Sequence, residues 1–416
     1  MRRAFLYALS CVLLIFSVGC GGNTTEKTGD QALLDKEFSQ IVKDAKGTTV
    51  RIYMYGGLAQ VNKWIDGWVS EQMKTRYDIT LERVPMDASV FVNKLLTEKS
   101  AGVEKGVMDA LWINGENFKN ARKANLLFGP YAEKLPNFNQ YVNKELAAYD
   151  FGMPVDGYET PYGWAQFVFE YDKANHGTKP ESFAALQEWI IAHPGKFTYP
   201  QPPDFTGSAF IRHLFYALTG GYEQYMGGFD QELFNKNAPK LWAWLNEVKP
   251  YLWQKGRTYP KGISQMDTLF ARGEIAINMS YHPLHAQSKI LDGTYRSSVE
   301  SFIMPEASIF NLHFWAIPYN APNKAGAMVF ANFMMSPEAQ LSKFDPANWG
   351  DYPAIDVSRM TEEMQKTFKD IDLGSPTLTP AELAQSAVPE IPAEYVVALE
   401  KGWLKNVLNQ LPLETK

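Results

Sequence analysis

Residues that could do chemistry crowd first into positions 197–218, FTYPQPPDFTGSAFIRHLFYAL. Phe197 and Tyr199 read as the end of a buried strand, and Pro200, Pro202 and Pro203 then forbid both helix and central strand. Asp204, Thr206, Gly207 and Ser208 follow, before a helical apolar pattern at Phe210, Ile211, Leu214, Ala217 and Leu218. A helix start has unpaired N–H groups and partial positive charge, so Thr206, Gly207 and Ser208 suit a carboxylate, a phosphate or another polar ligand edge. The competing use of Thr206 or Ser208 is a plain helix cap.

Two strand ends carry similar potential: Tyr55-Gly56-Gly57 after a first strand, and Asn114-Gly115-Glu116-Asn117 after a third. Ligands of open α/β sheets lie beyond the carboxyl ends of strands, where glycine admits a ligand to the backbone. His282, His285 and His313 are candidate metal ligands, the first two straddling Pro283. Zinc wants three or four ligands and the body has no Cys, so solvated or core histidines are the expected outcome and no metal is expected. There is no Gly-x-Ser-x-Gly elbow, no His-Glu-x-x-His and no dinucleotide glycine pattern, so no enzyme is expected. Paired carboxylates acting on a glycan or phosphoester stay open as a rival reading, because such pairing is spatial. A metal-binding receptor and a structural lipoprotein are the other rivals.

The elements that must position these residues follow from periodicity. Residues 50–55 and 79–84 read as strands, and 107–113 (VMDALWI) as a strand buried on both faces. Val61, Trp64, Ile65 and Trp68 mark an amphipathic helix between the first two. The alternation of strand and helix predicts an α/β fold with mainly parallel sheets. Residues 164–169 read as a strand leaving one lobe for another. Ile275, Ile277 and Met279 alternate as a strand running into Ser280-Tyr281-His282, and Leu312, Phe314 and Ala316 as a return strand. Residues 325–335 form a dense apolar helix, and 348–353 (NWGDYP) an aromatic loop.

The chain's 416 residues, 45% of them hydrophobic, suffice for two lobes. With 40 basic and 46 acidic residues and no basic run, no nucleic-acid partner is expected. The abundant aromatics, 14% of the chain, suit pockets that stack on planar or sugar-like ligands. Both cysteines, Cys11 and Cys20, lie in the first twenty residues, so the body has no thiol chemistry. Arg2 and Arg3, then an apolar stretch too short to span a bilayer, read as an export signal over 1–19. Ser17-Val18-Gly19-Cys20 resembles a bacterial lipoprotein box, which implies lipidation of Cys20, followed by a flexible tether to about residue 34.

The order of features resembles the bacterial extracellular solute-binding proteins of ABC importers. The motifs are the lipobox; Pro161-Tyr162-Gly163-Trp164 leading to Tyr171-Asp172-Lys173; and Lys179-Pro180-Glu181-Ser182-Phe183. Further on come Phe270-Ala271-Arg272-Gly273-Glu274 before Tyr281, and Phe333-Met334-Met335-Ser336-Pro337-Glu338-Ala339-Gln340. Residues 107–118, 199–210 and 348–353 resemble its Ynj-type branch. The resemblance implies a two-lobed type II periplasmic-binding fold with helices on both sheet faces. Residues 35–165 with 310–345 would form one lobe, and 166–309 with 346–416 the other. It implies a monomer without cofactor that captures a small solute in the crevice and delivers it to a membrane permease driven by a separate ATPase. Its place would be outside the cytoplasm, held to the membrane by lipid. Carried over position by position, the crevice lining would be Tyr55, Gly56, Asn114, Glu116, Trp164, Thr206, Gly207, Ser208, Tyr281, His282 and Trp349. Residues 261–264 through 280–281 also resemble thiamine-binding members, but an aromatic expected near Ile263 is missing. Glu116, Asp204 and the aromatics suit a planar or cationic solute, whereas the helix start suits an anionic one.

Overall fold

The computed structural model describes residues 29–176 and 178–409; the signal segment and Cys20 lie outside them. Eleven strands are present among the described residues: β1 (Thr49–Met54), β2 (Thr80–Pro85), β3 (Ala110–Ile113), β4 (Tyr149–Asp150), β5 (Met153–Pro154), β6 (Glu159–Gln166), β7 (Val168–Asp172), β8 (Ile277–Ser280), β9 (Val299–Phe302), β10 (Ser308–Ala316) and β11 (Ala387–Pro389). The first sheet has the order β11–β10–β3–β1–β2, with β6 also on β10. Pairing is parallel among β1, β2 and β3 and between β10 and β11, as helical crossovers require. The long helical stretch 59–77 provides the crossover from β1 to β2.

The second sheet, β8–β7–β9, is antiparallel throughout, and β6 is antiparallel to β10. One cause accounts for the β7–β9 and β6–β10 pairs. The chain leaves the first lobe along β6–β7 and returns along β9–β10, so the outward and return paths pair as an antiparallel ribbon. Its strands carry side chains into two separate cores. Tyr162, Leu312 and Trp315 lie in the first; Ala165, Phe167 and Ile309 lie in the second. β11 leads to a third crossing, after which the helix Ala393–Trp403 packs into the second core.

Two segments differ from the expectation. Residues 346–383 contribute Trp349, Tyr352, Ile355, Met360, Phe368 and Leu383 to the first core, not the second. The aromatic loop carries them there, because Lys343, on the helix Pro337–Phe344 of the first lobe, hydrogen-bonds the carbonyls of Asp351 and Tyr352. The end of the expected tether, Gly29–Leu34, is a short helix with Leu34 buried and Asp30 ion-paired to Lys324. Phe197 and Tyr199 are buried but belong to no strand, since the prolines that follow leave no ladder to join.

Candidate functional site

The ribbon, the end of β8 and the aromatic loop converge on one cluster. His313 of β10 stacks on Trp349, ring centroids 5.9 Å apart, and meets Trp112 of β3 edge-on at 5.1 Å. Tyr162 of β6 lies 6.0 Å from Trp349, and His282, just beyond β8, lies 5.6 Å from His313. Trp112 and Asn114 alternate on one strand and its end, so Trp112 shares the face that points beyond β3. Gly163 is needed for this approach: a Cβ there would stand 2.5 Å from both His313 Cδ2 and Asp351 Oδ2.

A buried ion pair anchors the cluster. Lys343 and Asp351 are both 0% exposed, with Nζ 2.6 Å from Oδ2. The same ammonium donates to the carbonyls of Asp351 and Tyr352, so its three donors are used. Burial alone would raise the Asp351 carboxyl, but Lys343, His282 and His313 outweigh it and hold it below its usual range. Asp351 Oδ2 also accepts from the backbone N–H of Trp164. Burial, with the neighbouring His282 and Lys343, pushes His313 down to about 3, so its imidazole is neutral.

What distinguishes this place is unspent hydrogen-bonding capacity. His282 Nδ1, both ring nitrogens of His313, Tyr162 Oη, Trp349 Nε1 and Asp351 Oδ1 are buried without a hydrogen-bond partner among the described residues. A buried unsatisfied group costs ~1–3 kcal/mol, so six in one cluster make this place the candidate site.

The helix start is spent differently. Asp204 caps the helix Phe205–Thr219, its Oδ1 accepting from the N–H groups of Thr206 and Gly207, both at 3.0 Å. The Ser208 N–H donates to the Asp204 carbonyl. These donors are therefore not offered to an anion, and the cap is Asp204 instead of Thr206 or Ser208. Gly207 packs so closely that an added Cβ would lie 2.0 Å from the Pro200 carbonyl oxygen. Ser208 and Tyr281 serve a second buried network. Arg212 forms a bidentate pair with Glu390, both contacts 2.9 Å, and donates to Ser208 Oγ at 2.8 Å. Tyr281 Oη donates to Glu390 and Ser208 Oγ to Glu400. Asn311 of β10 joins at 3.2 Å, so this network braces the crossings.

The remaining expected residues lie at the rim and on one wall. Tyr55 is exposed, and the charge of Asp204 in the opposite lobe acts on its hydroxyl; burial is the larger cause of its raised pKa. Beside it, Ser264 Oγ of the second lobe donates to the Gly57 carbonyl at 3.3 Å, and Gly56 is half-buried. Asn114 stands half-buried before the helix Gly115–Lys123 and gives it no side-chain cap, and Glu116 is exposed. The structure thus brings His282 and Trp349 together, ties Trp164 to the cluster through its backbone N–H while its ring packs on Phe310, sets Tyr55 and Gly56 at the rim, and assigns Thr206, Gly207, Ser208 and Tyr281 to packing and bracing.

Sequence reasoning missed Trp112, Tyr162, Lys343, Asp351, Arg212 and Glu390 as participants. Alternation with Asn114 would have found Trp112, and the loop holding Trp349 also holds Asp351. Of the three histidines, His285 is elsewhere and saturated, 2.7 Å from Glu170 and 3.3 Å from Asp267. Burial would lower its pKa, but the two carboxylates outweigh that and raise it to about 10.

Comparison with known proteins agrees with this architecture. The family model described as bacterial extracellular solute-binding protein matches residues 68–369. Protein YnjB of Escherichia coli (strain K12) is 39% identical over 371 residues, 88% of this chain and 93% of that one. Among solved structures, the spermidine/putrescine ABC transporter substrate-binding protein PotD of Streptococcus pneumoniae superposes with a TM-score of 0.60 at 15% identity, covering 86% of this chain and 98% of that one. The periplasmic binding protein AfuA of Actinobacillus pleuropneumoniae, with fructose-6-phosphate bound, gives 0.61 at 14% identity over 87% and 99%. Two cores joined by a crossing ribbon, a cluster of unspent polar atoms between them and these matches together make the chain a member of the bacterial extracellular solute-binding proteins, the substrate-binding components of ABC importers.

Proposed function

We propose that this importer component holds its solute at the crevice floor, against Tyr162, His282, His313, Trp349 and Asp351, with Asn114 and Trp164 beside them. Tyr55 and Gly56 form a rim that meets Asp204 and Ser264 when the lobes close. The observation that carries this reading is the convergence of six buried, unpartnered polar atoms from both lobes and the ribbon. The capped helix start at Asp204 argues against an anion held there. The solute is small and polar, and it supplies partners for imidazole nitrogen and carboxylate oxygen. The loaded, closed form is presented to a membrane permease, and the protein works as a monomer tethered through lipid on Cys20.

Native mass spectrometry of the gently purified protein, beside the same sample denatured, tests this. One extra mass that vanishes on denaturation, and that is lost in Trp349→Ala, is the expected result. An extra mass retained in Trp349→Ala would place the solute elsewhere. Absence of any bound mass, together with unchanged small-angle scattering on adding spermidine, thiamine, fructose-6-phosphate or zinc, would sink the proposal.

A further inference from the structure

The geometry points to a binding site for one divalent transition-metal ion of the zinc class, formed by His282, His313 and Asp351. This deepens the reading above and rests on it: the crevice floor is the capture site, and the metal is what it captures.

A nitrogen of each histidine and a carboxylate oxygen of Asp351 all lie within 4.8 Å of one another. His282 Nδ1 and Asp351 Oδ1 are 3.7 Å apart. That is too long for a hydrogen bond, whose upper limit is about 3.2 Å. It suits two ligands each about 2.0–2.2 Å from one ion, at an angle somewhat wider than tetrahedral. These atoms and both nitrogens of His313 are buried and otherwise unpartnered. His313 is 4% exposed, so its free nitrogens cannot be attributed to solvent.

The surroundings support ligation. Lys343 takes Asp351 Oδ2, which fixes the carboxylate plane and leaves Oδ1 directed at the histidines. Outer partners of this kind orient metal ligands. The nearby ammonium also weakens the hold on a cation, which suits a site that must release its cargo. Three protein ligands leave a fourth position for water or a small anion. Imidazole with one carboxylate and no thiolate selects borderline dications over calcium and magnesium, which prefer all-oxygen shells. The ligand set spans the molecule: His282 follows β8 of the second lobe, His313 lies on the return strand, and Asp351 lies on a first-lobe loop. Binding is therefore complete only when the lobes come together. The sequence offered His282, His285 and His313 as candidates and expected no metal; in this site Asp351 stands where His285 was offered.

The test uses the protein purified without a histidine tag, stripped with a chelator and titrated with zinc chloride or cobalt chloride alone. One zinc per chain by native mass spectrometry, and a saturable visible cobalt band, are expected. His282→Ala, His313→Gln and Asp351→Asn should each weaken zinc by more than about 100-fold, beyond the 10–100-fold that outer-partner changes cost. Circular dichroism of the metal-free variants checks folding; His282, the most exposed of the three, gives the variant least tied to the core. No uptake by the wild type at millimolar metal, or unchanged affinity in His282→Ala, overturns the site. A parallel thermal-unfolding series of the stripped protein with spermidine, thiamine and fructose-6-phosphate separates the two claims. Stabilisation by one of these without zinc uptake overturns the metal site and keeps the crevice. Silence to all of them and to zinc overturns both.

Discussion

Replacing Asp351 by Asn keeps the side chain's shape and removes one charge, which isolates what the buried pair with Lys343 contributes. Lys343 is 0% exposed, so its ammonium would remain in the interior with two backbone carbonyls as its acceptors. Breaking a buried pair by removing one partner costs about 3–5 kcal/mol. The surviving carbonyl contacts place this case near the low end, about 3 kcal/mol. For a lobe of this size each kcal/mol moves the unfolding temperature by about 2–4 °C, so a fall of about 6–12 °C is expected. The pH dependence gives an independent sign. Burial pulls Lys343 below its ordinary 10.5, and losing the carboxylate pulls it further. Between the folded-state pKa and 10.5 the unfolded chain then binds more protons than the folded one, so stability rises with pH in that window. The Asn variant's deficit should therefore narrow from pH 7 toward pH 10. Changing Lys343 to Met as well removes the unpaired charge, at the loss of the donor to the Asp351 and Tyr352 carbonyls, so this double variant should be more stable than the Asn variant without regaining wild-type stability. Urea unfolding of metal-free protein, followed by circular dichroism and tryptophan fluorescence with coincident transitions, measures all three proteins. A single variant within 1 kcal/mol of wild type, or a double variant no better than the single, would refute the reasoning.

Glu390→Gln should cost about 3–5 kcal/mol, because Arg212 is 1% exposed and loses the carboxylate that grips its guanidinium. Urea titration reads this, and a loss under 1 kcal/mol would mean that Ser208 and the rings of Phe151 and Phe205 suffice to hold the cation. Burial raises Asp204 from 3.8 to about 6 despite its two cap bonds, so the folded chain holds this proton more tightly than the unfolded chain does. That term favours folding at low pH and is lost as pH rises from about 4 through about 6, by at most about 3 kcal/mol. Asp204→Asn keeps a cap acceptor and should flatten this part of the stability–pH curve; an unchanged slope would contradict the assignment.

Much of the fold was legible because its causes are local. Alternation at Ile277 and Met279, and helical spacing at Val61, Trp64, Ile65 and Trp68, record which face of each element must leave water. The Pro-rich approach to Asp204 announced a helix start, yet the choice among Asp204, Thr206 and Ser208 as its cap turned on a backbone angle that composition does not encode. Tyr55, Asn114 and His282 all stand just beyond strand ends, where the alternation places them. Which of them face one another was not legible. Arg212 meets Glu390 from 178 positions away, and that pairing exists only because β11 brings the chain back to the crossing. Likewise His313 reads as one more residue on an apolar strand, and only the ribbon's register against β6, with Gly163 opposite His313, opens the space that Asp351 enters. The sequence by itself determined most of the elements, the α/β class and the family, because burial patterns repeat along the chain at the period of the structure that buries them. Only the tertiary structure brought the residues of the proposed site together, because unsatisfied polar atoms gain meaning from their neighbours, and those neighbours are assembled by crossings that no local pattern records.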